Sequence, residues 1–202
     1  EIGRLLDSMD QEVRERTVII VIGDNGTDQP STTAPFSPTH AKSSPFEGGV
    51  GVPLIVSGPG VAQGEECEAL VSTVDMFATC VELAGLPGPS TEDSVSFAPF
   101  FAEPDGSFGR SWVFAETFAP NGFGPYANRN RTVREDRFKL IWRDHGAYPP
   151  FREYFYDLDA DLRESKNLID QQPQLAARLE TKATAFLEEL NANRRPIGLV
   201  SE

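Results

Sequence analysis

A run of five consecutive β-branched residues, Val18 to Ile22, constrains the fold of this chain more than any other part of the sequence. Such residues favour extended backbone, and a run without polar alternation is typical of a strand buried on both faces, as in a parallel sheet. The run ends at Gly23-Asp24-Asn25-Gly26, so a carboxylate and a carboxamide follow the predicted strand directly. This segment predicts either a tight turn or a site for a hard cation such as calcium or magnesium.

The first half of the chain alternates predicted helices and strands. Apolar residues at helical spacing predict an amphipathic helix over residues 2–14. A second short apolar strand is predicted within residues 52–60, and a helix capped by Ser72 or Thr73 follows it. Residues 27–50 show little periodicity and predict a long loop, of the kind that often carries function. This order favours an α/β fold with part of a mostly parallel central sheet and flanking helices.

The pattern changes after residue 110. Short, partly alternating segments predict an antiparallel sheet covered on one face, and a helix with one apolar face closes the chain. The predicted strands cover residues 112–117, 131–136, 137–143 and 152–158, and the predicted helix covers residues 173–191. We therefore expect an α/β unit at residues 1–110 and a small antiparallel-sheet unit with a closing helix at residues 111–202.

The charge of the chain narrows the classes of partner. Its formal net charge of -13 disfavours nucleic acid and anionic membranes, because no basic surface is available to contact phosphates. Cys67 and Cys80 are too few for a disulfide framework, and they could pair or be buried thiols. The chain starts at Glu1 inside a helical pattern, so we expect preceding residues, and the compartment stays unknown.

Two residues of the long loop could take part in chemistry. Lys42 lies in a Ser- and Gly-rich segment, where its ammonium could bind an oxyanion, although a plain surface lysine fits the same pattern. His40 could be a general acid near such an anion, or an ordinary loop residue. Gly48-Gly49 lacks the Gly-Lys-Ser/Thr of a P-loop, and the cysteines lack the spacing of a zinc site.

Five segments carry a further signal through their order and spacing. They are TVIIVIGDNG (17–26), AKSSPFEGGVGVPLIVSGPG (41–60), LVSTVDMFATCVELAGL (70–86), RFKLIW (137–142) and YFYDLDADLRESKNL (154–168). Together they resemble the C-terminal part of the sulfatase family, which belongs to the alkaline-phosphatase superfamily. The resemblance covers nearly the whole chain, so residues 1–110 are expected to be the C-terminal part of the α/β sulfatase core.

The resemblance implies specific roles for three residues. In sulfatases the Asp-Asn pair after the strand binds calcium, which falls here on Asp24 and Asn25. The lysine before the EGG segment contacts the substrate sulfate, which falls here on Lys42. The implied activity is hydrolysis of a sulfuric ester, with a small-molecule or saccharide sulfate ester as substrate. The segment from Tyr156 to Leu168 is implied to be a structural signature of the second unit.

The chain departs from the family pattern at two places. The family nucleophile is a formylglycine made from the cysteine of a Cys-x-Pro/Ala-x-Arg motif, which neither Cys67 nor Cys80 matches. The nucleophile and the rest of the site are therefore expected in an N-terminal half of the same protein, and this chain alone is expected to be inactive. In the family an arginine usually precedes the Val-Pro pair, and Gly51 stands there instead, which puts any salt bridge of that arginine in doubt.

Two other functions remain open from the sequence. A related hydrolase of phosphate mono- or diesters is one, although such enzymes often bind zinc or manganese through histidines, and Asp24-Asn25 favours calcium and sulfate. A non-catalytic binding or structural module with the same fold is the other.

Overall fold

The structure, a computed structural model, describes residues 1–87, 93–107, 109–119, 128–144 and 151–192. The helices are α1 (Ile2–Asp7), α2 (Gln11–Arg14), α3 (Glu47–Val50), α4 (Asp75–Leu83) and α5 (Pro173–Ala192). The strands are β1 (Ile19–Ile22), β2 (Leu54–Ser57), β3 (Trp112–Ala119), β4 (Asn128–Glu135), β5 (Phe138–Asp144) and β6 (Phe151–Asp157). Within the described ranges, no helix combines the length and the apolar character needed to cross a membrane.

The first sheet pairs β1 with β2 in antiparallel register, with Ile19 opposite Ser57 and Ile22 opposite Leu54. The expected parallel sheet is not seen in the described residues. A parallel pair needs a crossover, usually a helix of some length, and α3 is a single turn of four residues. The apolar run is also not buried on both faces. Val18 and Ile20 pack on the cluster of Phe97, Phe100 and Phe101, but the run is half-buried up to Val21, and Ile22 is 37% exposed.

Two helix details differ from the sequence prediction. The predicted helix over residues 2–14 is divided into α1 and α2, and the Ser8 hydroxyl at the break donates to the Leu5 carbonyl. Neither Ser72 nor Thr73 caps α4 through its side chain; instead the Ser72 N–H donates to the buried Asp75 carboxylate at 2.8 Å. That carboxylate also pairs with Arg110, which ties the segment before β3 to α4.

The second sheet is antiparallel, as predicted, and α5 covers one of its faces. Its strands follow one another as a meander in the order β3-β4-β5-β6. The buried residues between α5 and the sheet are Val133, Leu140, Trp142, Phe155, Ala176, Leu179 and Ala183. The sheet was predicted to be covered on one face only. On its other face, however, Ile141 and Tyr156 pack against Phe46, which directly precedes α3. The segment that leads into α3 therefore rests on the second sheet.

Both cysteines differ from their predicted states. Cys67 and Cys80 are unpaired, and both are exposed. Cys67 lies in the segment after β2, and Cys80 lies on α4. The apolar neighbours of Cys80 in sequence therefore do not bury it, because it lies on the outer side of the helix.

Candidate metal and sulfate site

Asp24 and Asn25 form a bend directly after β1, and backbone hydrogen bonds fix the segment on both sides. Before them, the Gly23 N–H donates to the Pro53 carbonyl at 3.0 Å. After them, the Gly26 N–H donates to Gly49 O at 3.2 Å and the Thr27 N–H donates to Gly48 O at 3.1 Å. The bend is therefore held against β2 and α3. Asp24 is exposed and Asn25 is half-buried, so their side-chain oxygens are accessible.

Glycines allow three backbone segments to meet at α3. A Cβ on Gly26 would collide with the Gly48 carbonyl, a Cβ on Gly48 with the His40 carbonyl, and a Cβ on Gly49 with the Ser44 carbonyl. These are collisions with backbone atoms, which cannot move aside as a flexible side chain can. The Gly48-Gly49 pair is thus required for close packing of the Asp24 segment, the Lys42 segment and α3.

Lys42 lies beside the Asp24-Asn25 segment through its backbone. Its N–H donates to the carbonyl of Thr27 at 2.8 Å, and Thr27 follows Asp24 by three residues. Its side chain is exposed, which leaves the ammonium available to an anion. The structure therefore brings together the segments of three of the predicted site residues, although their roles stay predictions.

His40 occupies a different environment. Its ring stacks on Phe46 with the centroids 3.6 Å apart and an angle of 4° between the planes. Its Nδ1 is buried without a hydrogen-bond partner. These contacts account for His40 as a packing residue that orders the loop before Lys42, and a role as general acid stays a prediction.

The donor set at Asp24 and Asn25 fits a hard cation in kind. Carboxylate and amide oxygens are the ligands that calcium prefers, and calcium takes about six to eight of them. Across the described ranges, no group of three or more His, Cys, Asp or Glu lies together as a metal site. These two residues therefore fit calcium as part of a ligand set rather than as the whole of it.

An open hollow of about 920 Å³ extends from Asp24 and Asn25 towards the second sheet. Charged groups of both signs contribute to its lining, namely Arg134 and Lys139 together with Asp24, Glu47, Glu65, Glu66 and Glu68. The rest is largely apolar and includes Leu54, Val56, Val71, Met76, Phe97 and Phe101. The predicted metal ligands thus face a space that both sheets border.

Sequence reasoning missed a buried ionic cluster next to α3. Lys139 of β5 is 1% exposed, and its Nζ donates to Glu47 Oε1 at 2.8 Å and lies 2.9 Å from Glu164 Oε1. Glu164 Oε2 accepts the Glu47 backbone N–H at 2.6 Å. We call these three residues the Glu47–Lys139–Glu164 triad. Arg134 adds a second cation, 3.6 Å from Glu47 Oε2. Although Gly51 provides no arginine, Glu47 is thus paired with cations from the second sheet.

Burial raises the pKa of two side chains on this face of the second sheet, Glu164 of the triad and the neighbouring Tyr156. Burial raises the pKa of Glu164 above its ordinary value, and the neighbouring Lys139 acts in the opposite direction without cancelling it. Burial, together with the nearby Glu164 carboxylate, also raises the pKa of Tyr156 well above its ordinary value. Both shifts reflect the low polarity of this face of the second sheet.

The raised pKa of Glu164 predicts a pH dependence of stability. The folded state holds the Glu164 proton more tightly than the unfolded state does. This preference stabilises the fold fully below pH 4.5, the ordinary pKa of the side chain, and the stabilisation is lost as the pH rises through the folded-state pKa. Glu164→Gln should remove that loss. Between about pH 4 and about pH 8, the free energy of unfolding of wild type should therefore fall relative to that of Glu164→Gln, as measured by urea denaturation. Parallel curves for the two proteins would contradict the shift.

Comparison with known proteins supports this architecture. Residues 40–193 match the family model described as N-sulphoglucosamine sulphohydrolase, C-terminal. Arylsulfatase K of Gallus gallus is 28% identical over 188 residues, which cover 89% of this chain and 33% of that protein. Arylsulfatase G of Rattus norvegicus is 32% identical over 164 residues, covering 72% of this chain and 30% of that protein. The chain thus spans about a third of the length of these curated relatives.

Solved structures show the same fold at lower sequence identity. One, a protein in complex with its substrate D-glucosamine-2-N,6-O-disulfate, superposes with a TM-score of 0.74 at 22% identity, covering 95% of this chain and 38% of that one. Another, the phosphonate monoester hydrolase of Agrobacterium radiobacter, gives a TM-score of 0.70 at 22% identity, covering 93% of this chain and 38% of that one. The family model covers most of the chain, and the curated relatives are sulfatases. The chain therefore belongs to the sulfatase family and corresponds to its C-terminal portion.

Proposed function

We propose that this chain is the C-terminal part of a calcium-dependent sulfuric ester hydrolase and carries about half of its metal and sulfate site. The observation that carries the proposal is the hydrogen bonding around α3. It holds the Asp24-Asn25 bend through Gly26 and Thr27, and it holds Lys42 through Thr27. This hydrogen bonding holds the backbone of Asp24, Asn25 and Lys42 in neighbouring segments, which supports a common site for a cation and a sulfate.

Each residue has a separate task in this proposal. Asp24 and Asn25 would hold the calcium ion, which would polarise the sulfate oxygens when bound. Lys42 would bind a sulfate oxygen and orient the ester, and its positive charge would offset the charge that develops as the S–O bond breaks. The net charge of -13 gives these local cations added importance, because the rest of the chain repels a sulfate.

The remainder of the site is proposed to lie in an N-terminal half of the same protein. That half would supply the formylglycine nucleophile and the other calcium ligands. Residues 1–110 would be the C-terminal part of the α/β core, with β1 and β2 joining a larger, mostly parallel sheet, and residues 111–202 would be the antiparallel subdomain. The face of the first sheet turned away from Phe97, Phe100 and Phe101 is open to such a neighbour, since Ile55 of β2 is 61% exposed there.

A sulfated saccharide is the proposed substrate class. The structural neighbour that binds a glucosamine disulfate shares the fold over most of this chain. Hydrolysis of a phosphonate or phosphate monoester is the second candidate, because a phosphonate monoester hydrolase shares the fold over a similar part of this chain. The Asp24-Asn25 pair favours the first, since calcium prefers oxygen ligands and histidine is not needed.

Assay of the full-length polypeptide that carries this chain, here called the parent protein, tests the proposal. The parent protein should hydrolyse 4-nitrophenyl sulfate, lose this activity on chelation of calcium and regain it on addition of calcium. The isolated 202-residue chain should show no turnover. A parent protein that hydrolyses an aryl phosphonate ester but no sulfate would favour the second candidate. Metal-dependent turnover by the isolated chain would contradict the division of the site.

A further inference from the structure

The position of α3 determines where the proposed ligands lie. Its Gly48 and Gly49 carbonyls accept the N–H groups of Thr27 and Gly26, directly after Asp24-Asn25. The Thr27 carbonyl in turn accepts the Lys42 N–H. A displacement of α3 would therefore move both the metal-binding bend and the sulfate-binding lysine.

Contacts outside α3 must fix it, because four residues are far too short for a helix that is stable by itself. The first residue of α3 is Glu47 of the Glu47–Lys139–Glu164 triad. Its backbone N–H donates to Glu164, and its side-chain carboxylate accepts from Lys139. The partners are 92 and 117 residues away in the sequence, on the second sheet and in the segment after β6. Phe46, immediately before α3, packs on the same face of that sheet.

We infer that the triad is a positioning device, in which Lys139 and Glu164 of the antiparallel unit fix α3 and thereby Asp24, Asn25 and Lys42. The catalytic consequence rests on the proposed function; the positioning itself does not. Lys139 makes its ionic contacts with Glu47 and Glu164, and it acts on the Asp24-Asn25 bend and on Lys42 through Glu47. The second unit thus contributes to the site without supplying a ligand to it.

The chemistry of the triad fits positioning better than stability. A buried ion pair adds little stability over well-packed apolar residues of the same size, because both charges lose their hydration. It does impose direction, since each hydrogen bond fixes a distance and an angle. Lys139 is held between two carboxylates, and Glu164 Oε2 is directed at one particular backbone N–H. An apolar contact at this place would allow α3 to slide.

Lys139→Met in the parent protein tests this inference, with Leu179→Ala as the matched control. Methionine keeps the length and apolar stem of lysine but removes the charge. Leu179 lies in the core between α5 and the second sheet, so its truncation weakens the same unit away from α3. Amide exchange at Gly26, Thr27 and Lys42 is followed by mass spectrometry, together with calcium affinity and kcat for 4-nitrophenyl sulfate.

Lys139→Met should raise the exchange rates of these amides at least about 10-fold, and it should lower calcium affinity and kcat by about 10- to 100-fold. Leu179→Ala should lower the melting temperature and leave all three readouts near wild type. If Lys139→Met changes only the melting temperature, the triad is merely structural and the inference is overturned. Should Lys139→Met not fold, Glu164→Gln keeps an acceptor for the Glu47 N–H and should change exchange in the same direction, to a smaller extent.

The exchange readout separates this inference from the proposed function. A parent protein without calcium-dependent sulfate turnover would sink the proposed function, yet faster exchange at Gly26 and Thr27 in Lys139→Met would still support positioning. Conversely, full sulfatase activity with unchanged exchange and kcat in Lys139→Met would sink the positioning role alone.

Discussion

Replacing Asp24 by alanine in the parent protein should reduce hydrolysis of 4-nitrophenyl sulfate by at least about 100-fold, since even residues that only support a metal ligand cost about 10- to 100-fold. The fold should survive, because Asp24 is exposed and the bend is held by backbone hydrogen bonds of Gly23, Gly26 and Thr27. Steady-state kinetics at saturating calcium measure the first effect, and circular dichroism with thermal melting measures the second.

Asp28→Ala is the matched control for this variant. Asp28 is an exposed aspartate of the same loop, four residues after Asp24, so the two variants remove the same charge from the same region. We expect Asp28→Ala to retain turnover within about threefold of wild type, since surface substitutions usually have small effects. Equal activity of both variants would return the Asp24-Asn25 segment to an ordinary bend.

Lys42→Met should lower kcat for 4-nitrophenyl sulfate by about 100- to 1,000-fold, the usual cost of removing one group that stabilises a developing negative charge. The effect should appear in kcat and in kcat/KM, because the interaction strengthens as the S–O bond breaks. Calcium affinity should stay within a few-fold of wild type, because Lys42 is not proposed as a metal ligand. A lower kcat with nearly unchanged calcium affinity distinguishes the role of Lys42 from that of Asp24.

Lys166→Met is the control for loss of a lysine charge. Lys166 is exposed and lies in the segment after β6, on the antiparallel unit. Unchanged kinetics in this variant would show that the effect of Lys42→Met is local rather than a result of lower total charge. A Lys42→Met variant with near wild-type kcat would remove Lys42 from the site.

The strands of the second sheet and α5 were predictable because their patterns are local. The segment RFKLIWR and the alternating segment around Tyr154 gave β5 and β6 within a residue or so, and the apolar stripe containing Leu179 gave α5. The direction of the β1–β2 pairing was not predictable in the same way. The apolar run at residues 18–22 indicates only that this segment tends to be buried. The direction in which β1 pairs with β2 depends on the loop at residues 27–50, whose sequence has no periodic pattern that predicts its path.

In the candidate site, too, only the features that are local in the sequence could be predicted. Asp24, Asn25 and Lys42 could be identified because they lie near one another in the sequence and in a recognisable order. The Glu47–Lys139–Glu164 triad could not, because Glu47 meets its partners 92 and 117 residues away. The placement of Phe46 on the second sheet is a similar case, since a single aromatic residue in a loop carries no information on its distant partner.

Calcium binding by the parent protein tests the proposed half-site most directly. Isothermal titration should show one tight calcium site in wild type, and an affinity weaker by at least about 100-fold in Asp24→Ala, while Asp28→Ala binds calcium like wild type. An Asp24→Ala variant that binds calcium with wild-type affinity would contradict the assignment of Asp24 as a metal ligand, and with it the claim that this chain carries half of the site.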